Sequence, residues 1–137
     1  MAFLRYKGKT KTEWFPVTTS TALSKNTLVE FVSGLIEGAD TDESAINVVG
    51  VLGKTIASTD SDYASSRMVP VIVPVEKHVE WIADGTGTFA ATDIGTEFGL
   101  STSGVVDKAE TTTVCFKMTG FISASKIIGW IKFNGSY

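Results

Sequence analysis

The sequence predicts an all-β protein: a small β-barrel or sandwich of β-tulip-like type, preceded by an extended N-terminal arm. Three observations carry that prediction. The chain is rich in Val and Thr, and its 14 aromatic residues and 13 glycines suit half-buried pleated surfaces joined by tight turns. Apolar and polar residues alternate at a period of two, most clearly where Leu28, Glu30 and Val32 interleave with Val29, Phe31 and Ser33. No stretch of ten residues holds a 3.6-residue period. A chain of 137 residues is the size of one domain, and buries about two thirds of its unfolded surface without a disulfide or metal.

Residues 1–16 read as the extended arm and residues 17–137 as the single β domain. In the arm, Phe3, Arg5, Lys7, Lys9 and Lys11 alternate with Leu4, Tyr6 and Gly8, as in an edge strand whose lysines discourage uncontrolled pairing. Two readings stand side by side: a solvated, frayed terminus, or an arm that orders on a neighbouring subunit through Phe3, Tyr6 and Trp14. The opening strand pair spans 27–52, punctuated by Gly34, Gly38 and Gly50 and interrupted by an acidic loop at 40–44. Asp40 and Glu43 have the spacing of a capped helical turn. A short strand is expected at 55–57 and a loop at 58–63. Residues 68–75 form the most apolar run, and Pro70 and Pro74 place it at a sheet edge or in a bulge, since proline donates nothing to a ladder. Residues 76–83 continue as an amphipathic strand that includes His78. A Gly/Thr-rich segment follows over 85–104. Residues 111–118 are predicted as a strand, and 121–133 as a closing hairpin.

Charge limits the partners. The net charge of −3 argues against a general nucleic-acid binder. It is unevenly spread, because residues 1–12 hold four cations and no acid, so +4 in the arm leaves −7 for the body. Cys115 is the single cysteine, which rules out an intrachain disulfide. No run approaches the ~20 apolar residues of a membrane helix, and 2–4 is too short for a signal-peptide core. The expectation is a chain made in the cytoplasm, with no membrane partner.

Catalysis by a nucleophile needs a base in reach and a group to orient it. His78 is the only histidine and reads as an exposed mid-strand residue facing with Glu76 and Glu80. Cys115, between Val114 and Phe116, reads as an inert core thiol. Asp40-x-Asp42-Glu43 and Asp60-x-Asp62 offer oxygen clusters but lack the glycine and distal glutamate of a calcium loop, so solvated turn acids are expected. The stretch 85–90 matches Gly-x-Gly-x-x-Ala by letter, yet Gly95 and Gly99 follow and no helix can open there to hold a pyrophosphate. The sequence therefore predicts no enzyme, no cofactor and no metal site.

The order of features resembles the small head-decoration (cement) proteins of tailed bacteriophages. The features that carry it are the N-terminal arm, Lys25-Asn26-Thr27-Leu28-Val29 leading to Gly34, and Val49-Gly50-Val51 closing the first pair. They continue with Val69-Pro70-Val71, the Thr/Gly-rich middle with Asp93-Ile94-Gly95, the strand around Val114 to Met118 and the closing hairpin. The resemblance covers nearly the whole chain as a pattern of strand and turn placement. It implies a structural virion protein on the capsid exterior, binding the major capsid protein as a homotrimer and stabilising the shell. It also implies that the arm, through Phe3, Arg5, Tyr6, Lys7, Lys9, Lys11 and Trp14, contacts that partner. Trp81, Phe89 and Phe98 are expected as oligomer contacts from their size and position. The alternatives are a tail or head–tail connector component, or a small ligand-binding β-barrel module.

Overall fold

The computed structural model of the protein describes residues 3–39 and 48–137, so the acidic loop and the expected helical turn at 40–45 lie outside the described residues. The architecture is all-β, as expected, and built from two sheets. In chain order the strands are β1 (Phe3–Lys7), β2 (Thr10–Pro16), β3 (Leu28–Val32), β4 (Leu35–Gly38), β5 (Val48–Leu52) and β6 (Met68–Pro74). They continue with β7 (Glu80–Thr86), β8 (Glu97–Leu100), β9 (Val106–Asp107), β10 (Phe116–Ser123) and β11 (Lys126–Ile131).

One sheet runs β1-β7-β11-β10-β8-β9 and closes into a five-stranded barrel, because β9 also pairs in parallel with Gly85 and Thr86 at the end of β7. Strand β1 occupies the earlier half of that same β7 edge, with Phe3 opposite Ala83 and Leu4 opposite Ile82. The second sheet runs β2-β6-β5-β3-β4 and curls until Val17, just past β2, bridges Ile36 of β4. Its β3–β4 hairpin turns on Ser33 (φ 52°) and Gly34 (φ 81°), consecutive left-handed residues whose twist matches the flanking strands.

Two cores follow. Val17, Val29, Ile36, Leu52, Ile56, Val69 and Val71 fill the curled sheet. Leu28, Val48 and Val51, on its opposite face, join Phe3, Trp81, Phe89, Phe98, Phe116 and Met118 in the larger core shared with the barrel. Strand β5 is therefore buried at every residue, because both its faces are covered. For the same reason Glu30, which the alternation placed on a wet face, is 1% exposed.

Four expectations are corrected. The proline-bearing run is an interior strand, not an edge: β6 lies between β2 and β5. It tolerates its prolines because β5 pairs only with Val71 and Ile72, leaving Pro70 and Pro74 beyond that ladder. The strand predicted over 111–118 begins at Phe116, since Glu110 takes the Thr112 and Thr113 amides at 2.9 and 3.0 Å and holds that segment as a turn. His78 is not mid-strand. It sits in the turn between β6 and β7 with φ 61°. Finally, 55–57 contributes only a single bridge, Ile56 with Leu23.

Candidate contact surface on the N-terminal strands

The segment expected as an arm is extended, and its described part, from Phe3 onward, is built into the body. Residues 3–16 supply one strand to each sheet, and each is terminal in its sheet's order. The crossing between sheets takes place at Gly8 and Lys9. Gly8 has φ 106°, and a Cβ there would stand 2.9 Å from Val79 Cγ2, so only glycine fits without strain. The crossing is tied down beside it: the Lys9 amide donates to Glu76 Oε1 at 2.8 Å, and the Val75 amide donates to the Lys9 carbonyl at 3.0 Å.

The residues expected to meet a partner divide into two groups. Phe3 is corrected: it is 1% exposed and tilts against Phe116 with ring centroids 6.4 Å apart, so it is a core residue in this conformation. Its amide donates to the Asn26 carbonyl at 3.1 Å, which secures the start of β1. The others lie on the surface. Arg5, Lys7, Lys9 and Lys11 are all exposed, as is Tyr6 in the bulge of the β1–β7 ladder. Trp14 is 57% exposed. Of the cations, Arg5 donates to the Gly8 carbonyl at 3.0 Å, Lys7 lies 5.4 Å from the Tyr6 ring centroid, and Lys11 pairs with Glu13 at 2.8 Å. None of these is a buried ion pair, so the positive charge of the strands remains available to solvent and to an anionic partner.

A separate apolar patch lies on the β2–β6 pair. Trp14 lies opposite Pro70, and Pro16 opposite Met68, so the four share one face of the β2–β6 pair. Met68 is 56% exposed. Sequence reasoning found Trp14 but missed Met68, because the run 68–75 read only as an apolar edge or bulged strand with no face assigned to its ends; the signal lay in the register, which needs β2 and β6 to be paired first.

Trp81, Phe89 and Phe98 are corrected as oligomer contacts. They are 1%, 2% and 2% exposed and belong to the barrel core, where Phe89 and Phe98 meet edge to face at 5.2 Å. Size favoured them as anchors, but a large aromatic with an inward register buries more surface inside its own chain. Phe89 reaches the core because Gly85 leaves room for its ring.

The groups considered for chemistry are also placed. Cys115 is buried, and burial pushes its thiol up to about 12, so it is a protonated core thiol at neutral pH. Asp60 and Asp62 are not free turn acids: Arg67, largely buried, pairs with them at 2.8 and 3.2 Å. His78 stacks on Trp130 at 4.1 Å with an interplanar angle of 22°, at the mouth of a cleft of about 240 Å³. That cleft, lined also by Glu76, Asn134, Ser136 and Tyr137, is smaller than the usual ~300–1,000 Å³ of ligand pockets. Burial, followed by Glu97 beside it, raises the Tyr137 hydroxyl well above the ordinary phenol range.

Compared with known protein families, the chain matches no family model, and no curated protein matches it.

Proposed function

We propose that this is a structural virion protein: a capsid decoration protein that binds the outer surface of a phage head as a trimer and reinforces it. The observation that carries the reading is that the two N-terminal strands, each terminal in its sheet's order, carry four exposed cations and an exposed tryptophan, Trp14. A protein that clamps a shell needs distributed contact area rather than a reaction centre, and edge strands supply it through main-chain bonds while cations set orientation. Weak contacts repeated around a symmetric shell add up through effective concentration. The major capsid protein is the partner, and the basic strands face an acidic region of it.

Deletion of residues 1–12 is a poor test of this reading, because it removes all of β1, with Phe3, from the core and the first three residues of β2 from its sheet. Charge reversal at Arg5, Lys7, Lys9 and Lys11 to Glu leaves packing in place, since all four side chains are exposed. Sedimentation with heads that lack the protein is expected to show saturable binding for the parent, weakened at least about tenfold by the fourfold reversal. Equal binding by the two would refute the role of these strands.

A further inference from the structure

We propose that β1 is an exchangeable strand: the β7 edge and the pocket that Phe3 fills form an acceptor site, and its second occupant is the β1 strand of another copy of this chain. The inference goes beyond the proposed function and stands or falls without it.

The structure shows what the acceptor takes. Residues Glu80–Ala83 of β7 offer one edge to an antiparallel strand, and the pocket beside Phe116 takes one aromatic ring. In a single chain that occupant is Phe3–Lys7, yet its attachment is slight. Four of its five residues are exposed, its ladder is broken by a bulge between Arg5 and Lys7, and among the described residues β7 is its one partner strand. Phe3 is the anchor, and anything that supplies the same ring and strand satisfies the site equally.

The connection to β2 favours exchange. Only Gly8 and Lys9 join two strands that belong to different sheets, and Gly8 is held at φ 106° against Val79. Short hinges under constraint are those that open into swapped assemblies. If Gly8 extends, β1 continues the line of β2 and reaches about 17 Å beyond it, which is the length of a strand able to enter a neighbour's site. The vacated β7 edge is not lost to the barrel, because β9 holds the Gly85–Thr86 end of β7 separately. Exchange therefore recreates in a second copy the β1–β7 ladder and the Phe3 packing that it breaks in the first, and gives up only the contacts of the hinge itself. The symmetric consequence is a closed ring or pair in which each copy donates one strand and accepts one.

Leu4 and Ile82 are register partners across β1 and β7 on the outer face of the sheet, which makes them a reporter. Two full-length single variants, Leu4→Cys and Ile82→Cys, are mixed at high micromolar concentration and oxidised; Cys115 is buried and stays out of the reaction. The expected product is a covalent dimer joining the two different chains, absent when either variant is oxidised alone. A peptide of residues 1–9 in excess should compete it away. Gly8→Ala, whose side chain disfavours the closed hinge, should raise the yield about tenfold. If the double variant Leu4→Cys/Ile82→Cys instead closes quantitatively within one chain, and the mixed singles give no heterodimer with either residue at position 8, the proposal is overturned. A heterodimer yield that the peptide leaves unchanged would also overturn it, since the link would then come from collision rather than from the strand site.

Discussion

Replacing Phe3 by Ala separates an integrated N-terminal strand from a frayed one. The ring is 1% exposed and packs at 6.4 Å from Phe116 in the larger core. Truncating a fully buried Phe in such a setting costs about 3–5 kcal/mol, the lost transfer free energy plus the cavity left behind. The loss should fall toward the lower end. Phe3 lies on the terminal strand of its sheet, and β1 can peel away from β7 rather than hold a void. At about 3 °C per kcal/mol for a domain of this size, the melting temperature should drop by roughly 10 °C. Urea unfolding followed by tryptophan fluorescence reports it well, because Trp81 sits in the same core. Amide exchange at Ile82, whose register partner is Leu4, should accelerate in parallel, as its cover strand is released. A loss below about 1 kcal/mol, with unchanged exchange on β7, would refute the claim that β1 is part of the folded body.

Two further predictions concern the body. Gly129→Ala should be among the most damaging small substitutions, because the new methyl meets the Lys117 carbonyl and stands 2.6 Å from Phe116 Cε1; a loss of about 2–4 kcal/mol is expected by thermal melting, and a neutral result would contradict the close approach of β10 and β11. The Cys115 thiol is raised from 9.0 to about 12 by burial, so it should resist alkylation at neutral pH. The folded state holds the proton more tightly than the unfolded state, so this contribution is complete below about pH 9. It is then lost by about 1.4 kcal/mol per pH unit as the pH climbs toward 12. Cys115→Ser should flatten part of that alkaline decline, and rapid modification of the native thiol at pH 7 would contradict the burial.

The fold class was legible because composition and period-two alternation are local signals, and both survive into the sheets. The closing hairpin could be read for the same reason, since short apolar runs mark it directly; the β3–β4 hairpin escaped, because 27–38 reads as a single run with Gly34 inside it. What escaped was pairing. Pro70 and Pro74 argue for an edge as long as the neighbour on each side is assumed to run the full length of β6, but β5 covers only Val71 and Ile72. Glu30 and the wholly buried β5 escaped because alternation assumes one wet face, and the second core covers both. On the candidate surface, the four cations, Tyr6 and Trp14 were found from charge and edge-strand alternation. Phe3 was assigned outward, because nothing in a short terminal run distinguishes an anchor for another chain from an anchor for its own. Trp81, Phe89 and Phe98 were misplaced for a related reason, since size alone does not say which way a side chain points.

The most direct test of the account is the saturation stoichiometry of the purified protein on heads that lack it, measured by sedimentation. Decoration of the shell predicts saturable binding that levels off at the number of copies matching its three-fold positions, and heads so loaded should survive heating that opens bare ones. Absence of saturable binding to mature heads, with the protein folded and the basic strands intact, would contradict the account.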